Sequence, residues 1–170
     1  MTLTEKSGNL FSAPPEFYFA HCISGDYALG AGIAKTFDQR FNMKQKLNAM
    51  YPIPKRFDTQ SAIRASMRGR PLNQINCYKP ATYHNYFGRA LLIDKTFNLV
   101  TKDQYWEKPT YHSLRLALVD MVRQCRARHI TKLAMPRLGC GLDRLSWDSV
   151  RQMIETVFEF TDIEIVVYSL

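Results

Sequence analysis

The pattern of apolar positions divides this chain into short runs and longer periodic stretches. Phe17 to Ile23 is a continuous apolar run of strand length, the mark of a strand buried on both faces. Ala90–Asp94, Phe97–Thr101, Thr131–Met135 and Ile163–Tyr168 read as further strands, and Leu72–Tyr78 is a mixed candidate. Between them the period changes to that of a helix. Ile33, Ala34, Phe37 and Phe41 predict a helix starting near Gly32, and Met43 to Met50 a short one. Pro109 to His129 predicts a long helix, with Pro109 in its first turn and Leu114, Leu118, Met121, Val122 and Cys125 as its buried stripe. Ser146 reads as an N-cap, followed by a stripe of Val150, Ile154, Val157 and Phe158. The start before Gly8-Asn9 is polar and reads as a lead-in to a turn, and Pro14-Pro15 forbids helix there. Strands alternating with helices predict an α/β fold with a parallel or mixed sheet between helical layers.

Two glycine-rich loops follow predicted strands and precede predicted helices. The first, Ser24 to Ala34, contains Gly25, Gly30 and Gly32; the second, Pro136 to Asp143, contains Gly139 and Gly141 around Cys140. Glycine permits close backbone approach, and a helix start presents N–H groups that suit an anion. Two such loops converging on one pyrophosphate are more informative than either alone. Lys102 stands at the end of the Phe97–Thr101 strand, and Asp143 ends the second loop.

Composition narrows the class without naming a chemistry. The 170 residues suit one domain, and 46% hydrophobic with 22% charged residues is ordinary for a globular protein. No apolar run approaches the roughly 20 residues needed to span a bilayer. Met1 to Leu10 holds no signal-peptide core, so an intracellular setting with no membrane partner is expected. The four cysteines (Cys22, Cys77, Cys125, Cys140) lack C-x-x-C spacing, which argues for free thiols over disulfides or zinc. The net charge of +8 is compatible with solubility or with a polyanionic partner. Lys55 to Arg70 carries five basic residues against Asp58 alone, and Tyr83, His84, Tyr86 and Phe87 form an aromatic cluster in a predicted loop. Both read first as surface, and second as a flap or stacking platform for nucleic acid.

Several stretches together resemble a known family: Gly8-x-Leu10-Phe11, Ala20-His21-Cys22-Ile23-Ser24, Gly30-Ala31-Gly32-Ile33-Ala34, Leu99-Val100-Thr101-Lys102, Lys108-Pro109-Thr110-Tyr111, Met135 to Leu145, and Val167-Tyr168-Ser169-Leu170. In this order they resemble the macrodomains, and among them the branch that removes terminal ADP-ribose from proteins and deacetylates O-acetyl-ADP-ribose. The resemblance spans nearly the whole chain, residues 1–170, as one domain with an insertion roughly within residues 47–86. It implies a three-layer α/β/α fold around a mixed sheet, with ADP-ribose bound in a cleft over the sheet. It places adenine against Asn9 and Leu10, with Tyr168 and Leu170 beside it. Gly30, Ala31, Gly32, Ile33 and Ala34, together with Leu138, Gly139, Cys140, Gly141 and Leu142, would hold the pyrophosphate and distal ribose, with Ser24 beside that path. The family usually has aspartate where this chain has Asn9; asparagine keeps a carbonyl acceptor and loses the charge, which weakens recognition of the adenine amino group.

The catalytic pair implied by the resemblance is Lys102 and Asp143. The lysine would attack the anomeric carbon of the distal ribose, displace a glutamate or aspartate carboxylate and form a lysyl–sugar intermediate, with the aspartate as acid/base. The attacking amine must be neutral, and an ordinary lysine with a pKa of ~10.4 is neutral in roughly one molecule in 2,500 at pH 7, so a proton acceptor beside it matters. No cofactor or metal is called for. Asp103 follows Lys102 and would influence its charge state. A thiol mechanism at Cys140 fares worse, because no histidine lies in a partner motif. The expected partners are ADP-ribose and ADP-ribosylated proteins, with poly(ADP-ribose) or nucleic acid as candidates for the basic surface. The expected form is a monomer in nucleus and cytoplasm, working in DNA damage. The competing readings are a non-catalytic ADP-ribose reader, a deacylase of O-acetyl-ADP-ribose and a nucleic-acid binder.

Overall fold

The computed structural model describes residues 1–53 and 86–170. In chain order these form β1 (Thr2–Ser7), a 3-10 turn (Leu10–Ser12), β2 (Tyr18–Ser24), α1 (Gly32–Phe41), α2 (Met43–Met50), β3 (Ala90–Ile93), β4 (Thr96–Lys102), α3 (Tyr111–Arg128), β5 (Lys132–Pro136), α4 (Trp147–Val157) and β6 (Glu164–Ser169). The six strands make one mixed sheet in the order β1-β6-β5-β2-β4-β3. Every pairing is parallel except β3 against β4. The expected Leu72–Tyr78 strand, the basic Lys55–Arg70 stretch, Tyr83 and His84, and most of the expected insertion lie outside the described residues.

Alternate residues of β2 to β6 feed two cores. Ala20, Phe97, Leu99, Leu133, Met135, Ile165 and Val167 pack beneath α3 and α4, with Leu114, Leu118, Met121, Val150, Ile154 and Phe158. On the opposite face, Ile23, Leu91, Ile93, Val100 and Ala134 pack beneath α1 and α2, with Phe37, Met43 and Leu47. The result is the three-layer α/β/α arrangement, and burial on both faces explains the unbroken apolar run in β2. His21 belongs to the second layer, buried and stacked on Phe37 with ring centroids 3.9 Å apart. Asn98 donates its amide to the Leu91 carbonyl at 3.0 Å, so its Oδ1 accepts from His21 Nε2 at 2.6 Å.

Two differences from the sequence reading have plain causes. The polar lead-in is the edge strand β1, paired in parallel with β6 from Thr2↔Glu164 to Ser7↔Ser169. It carries no apolar run because, apart from the partly buried Leu3, it is exposed. The long helix begins at Tyr111, and Pro109 lies before the cap. Thr110 and Ser113 form a reciprocal capping box, Ser113 N donating to Thr110 Oγ1 and Thr110 N to Ser113 Oγ, each at 3.0 Å. Ser146 stands at the N-cap of α4 without a side-chain cap bond; its N–H donates to the Tyr111 hydroxyl at 3.0 Å. Among the described residues, no helix is long and apolar enough to cross a membrane.

Candidate functional site

In parallel α/β sheets the loops beyond the strand C-termini form the binding crevice. Here the segments after β1, β2, β5 and β6 enclose a cleft of about 1080 Å³. Asn9 and Leu10 line it from the 3-10 turn, Ala31 to Ala34 from the start of α1, and Leu138 to Asp143 from the loop after β5. Tyr168 and Leu170 line it from the end of β6. The two glycine-rich loops meet as expected: a Cβ placed on Gly32 would lie 3.5 Å from Leu142 Cδ1.

Each loop is shaped by its own sequence. Gly139 has φ +71°, a backbone conformation that calls for glycine; an added Cβ would also lie 2.8 Å from Leu145 Cδ1, the end of a flexible side chain that would have to turn aside. Ala31 caps α1 without a side-chain acceptor, and the first turn holds no acidic residue. The N–H groups and positive dipole end of α1 are therefore available to an anion in the cleft.

Lys102 and Asp143 come together. Lys102 Nζ donates to Asp143 Oδ1 at 2.8 Å, with the two side chains 15% and 19% exposed. Asp143 lines the cleft, and Lys102 reaches that wall through this contact. The register of β2 on β4 slips here: Ile23 pairs Val100 and Ser24 pairs Lys102. Such irregularities bend a strand and re-aim its last side chain. The loop that follows is tied back, Lys108 Nζ donating to the Leu142 carbonyl at 3.3 Å.

Ser24 and Gly30 stand off the cleft wall. Gly30 is exposed in the loop before α1. Ser24 is buried, and its hydroxyl donates to Asp26 Oδ1 at 2.5 Å. Asp26 was not singled out from the sequence, yet it clips the region together. Its Oδ1 also accepts from Ala28 N at 3.1 Å, and its Oδ2 from Tyr105 N at 3.0 Å. Asp26-Tyr27-Ala28 is an Asx turn, and an aspartate just after Ser24-Gly25 is a turn signal the sequence did carry. Asn9 uses its Oδ1 locally, accepting from Phe11 N at 3.0 Å.

The cleft has further lining residues that the sequence reading passed over. Thr36 and Arg40 extend the α1 wall from Ile33 at helical spacing, so periodicity could have found them. Phe11, Arg137 and Trp147 also line it. The Arg40 guanidinium sits 4.4 Å from the Phe11 ring centroid, and that of Arg137 5.6 Å from the Trp147 ring centroid. Two arginines braced on aromatic rings thus give the cleft a positive character suited to a diphosphate.

Burial favours the protonated form of the two thiols that line the cleft. Burial first, then the Asp143 carboxylate, push Cys22 up to about 12. Burial also raises Cys140, whose Sγ donates to the Leu138 carbonyl at 3.2 Å. A thiolate is the reactive form, so neither of these thiols is poised to act as a nucleophile. Among the described residues, no group of three or more His, Cys, Asp or Glu side chains could hold a metal.

Comparison with known proteins bears on this geometry. No family model matches the chain. Over 168 residues it is 38% identical to the human (Homo sapiens) ADP-ribose glycohydrolase OARD1, covering 99% of this chain and 91% of that protein. The macrodomain of Mycobacterium tuberculosis DarG superimposes with a TM-score of 0.70 at 21% identity, covering 99% of this chain and 98% of that one. Thermosipho africanus DarTG, solved in complex with ADP-ribose, matches with a TM-score of 0.61 at 15% identity, over 97% of this chain and 41% of that one.

Proposed function

Because this chain belongs to the macrodomain family of ADP-ribose glycohydrolases, we propose that it is a hydrolase removing terminal mono-ADP-ribose from glutamate and aspartate side chains of modified proteins. The observation that carries the reading is the 2.8 Å contact between Lys102 Nζ and Asp143 Oδ1 at the cleft wall. A reader domain needs only the cleft; an amine held against a carboxylate is what nucleophilic catalysis requires.

The steps follow from that contact. The start of α1 and the Leu138–Leu142 loop receive the pyrophosphate, and the distal ribose lies at Asp143. Asp143 takes a proton from the Lys102 ammonium, freeing the nitrogen lone pair. Lys102 Nζ bonds to the anomeric carbon as the bond from that carbon to the ester oxygen breaks, and the acceptor carboxylate leaves with the electron pair. Asp143 passes its proton to the departing carboxylate. It then takes one from water as the water oxygen bonds to the anomeric carbon and the bond from that carbon to Lys102 Nζ breaks, its electron pair returning to nitrogen. Asp143 returns this proton to the lysine as ADP-ribose departs. A carboxylate is a good enough leaving group for an amine to displace. O-Acetyl-ADP-ribose fits the same cleft as a second substrate.

The proposal takes residues 1–170 as one catalytic unit acting as a monomer in nucleus and cytoplasm, on proteins modified during DNA damage. Poly(ADP-ribose) or ADP-ribosylated nucleic acid would approach across the basic surface that the +8 charge provides.

The test is release of ADP-ribose from a protein modified on acidic side chains. Lys102→Ala and Asp143→Ala should each lower the single-turnover rate by at least a hundredfold while ADP-ribose still binds. Mass spectrometry of the enzyme trapped with substrate should find the sugar on Lys102. Unchanged release by both variants, or an adduct on another residue, overturns the mechanism. Wild-type binding without turnover makes the protein a reader.

A further inference from the structure

Glu5 lies on the edge strand β1 and is absent from the cleft lining, yet it gathers three side chains, two of which, Arg137 and Trp147, build the cleft's far wall. Its Oε1 accepts from Trp147 Nε1 at 2.7 Å and faces Arg137 Nη2 at 3.6 Å, and its Oε2 pairs with Arg151. Arg137 and Trp147 both line the cleft, and the guanidinium of the first lies over the ring of the second. Arg151 is held in turn by Glu155, its Nε donating to Oε1 at 3.0 Å. One carboxylate therefore orients an indole by its N–H and tethers the cation stacked on it.

The position of this cluster says which part of a ligand it meets. Arg137 follows Pro136, which pairs with Tyr168 where β5 and β6 end. Lys102 ends β4, two strands away in the sheet order. On the reading that the distal ribose lies at Lys102 and Asp143, the ligand's nucleoside diphosphate half extends toward β6 and β1. We infer that Glu5 is a positioning residue for that half: it holds Trp147 and Arg137 in the geometry that receives a nucleoside diphosphate, and so sets affinity without entering the chemical step. Fixing a side chain before binding removes an ordering cost, so releasing two should weaken binding roughly tenfold.

The experiment places the variants in a Trp106→Phe background, which leaves Trp147 as the remaining tryptophan of the two. Glu5→Ala should weaken ADP-ribose binding roughly tenfold by calorimetry and lower the fluorescence anisotropy of Trp147. Its single-turnover release rate at saturating substrate should stay within twofold of the parent. Glu5→Gln keeps an acceptor for the indole but loses the charge that tethers Arg137; it should recover the anisotropy and only part of the affinity. Trp147→Phe keeps a ring and removes the N–H, so adding Glu5→Ala to it should cost less affinity than Glu5→Ala alone. A parent-like affinity in folded Glu5→Ala overturns the inference, as does a loss in the single-turnover rate that matches the loss in affinity. A parent protein that binds no ADP-ribose overturns the glycohydrolase reading itself, and this inference with it.

Discussion

Gly139 shows how a single residue can hold a site open. Its φ of +71° is costly for any residue with a Cβ, by about 1–2 kcal/mol, and the added carbon would also meet Leu145 Cδ1 at 2.8 Å. Gly139→Ala should therefore lower stability by about 1–3 kcal/mol in urea unfolding and weaken ADP-ribose binding. Leu145→Ala in the same chain removes the clash but keeps the backbone strain, so it should restore only part of the binding. Full recovery would mean that space alone demanded the glycine. His21 makes a second prediction at this scale. Burial holds it down to about 4, the Asn98 hydrogen bond opposing, against an ordinary 6.5. The folded protein therefore keeps it neutral where the unfolded chain takes up a proton. Its contribution is intact above pH ~6.5 and is lost progressively as pH falls toward ~4, by up to roughly 3 kcal/mol. Urea midpoints measured between pH 7 and pH 4 should fall with pH, and His21→Gln, which keeps a donor for Asn98, should flatten that slope.

At the scale of elements, capping explains what hydrophobic period alone misplaces. The apolar stripe of α3 locates the helix but not its first residue, since Pro109 and Tyr111 fit the same pattern. The Thr110–Ser113 box decides it. Thr110→Ala should cost about 1 kcal/mol in chemical denaturation. Its effect on turnover should be small, because Thr110 is not among the residues that line the cleft. Thr110→Ser, which keeps the acceptor, should restore most of the loss. The strands β2, β3, β5 and β6 were legible because double burial writes an apolar run into each, and β4 through a weaker alternation around the buried Asn98. β1 was not, because a strand at the sheet edge is specified by main-chain pairing to β6 rather than by side chains that must be buried. The consequence reaches the site, since Glu5 and the turn carrying Asn9 are placed by that strand.

Across the whole molecule, topology supplies what spacing lacks. Lys102 and Asp143 are 41 residues apart, and nothing in the residues between them measures their distance; the resemblance paired them, and the sheet order brings them to 2.8 Å. Arg137 and Trp147 escaped notice for the same reason: their shared partner, Glu5, is far off in sequence. The cleft they complete should respond to ligand as one body. At about 100 times its dissociation constant, ADP-ribose should stabilise the fold by about 2.7 kcal/mol, which for a chain of this size raises Tm by roughly 5–10 °C. Lys102→Ala should keep that shift, because the lysine reaches the cleft only through Asp143. Salt separates two ways in which a chain of charge +8 could hold an anion. Hydrogen bonds from the α1 N-terminus and the glycine loop to one pyrophosphate, in a recess braced by Arg40 and Arg137, are screened weakly, whereas a spread of surface cations on a polyanion weakens by about 10³–10⁵ between 50 and 200 mM salt when 6–10 phosphates are contacted. Calorimetry over that range should show ADP-ribose affinity falling less than tenfold. A steeper fall would move the binding energy from the cleft to the surface, and with it the case for Lys102 and Asp143 as the groups that meet the substrate.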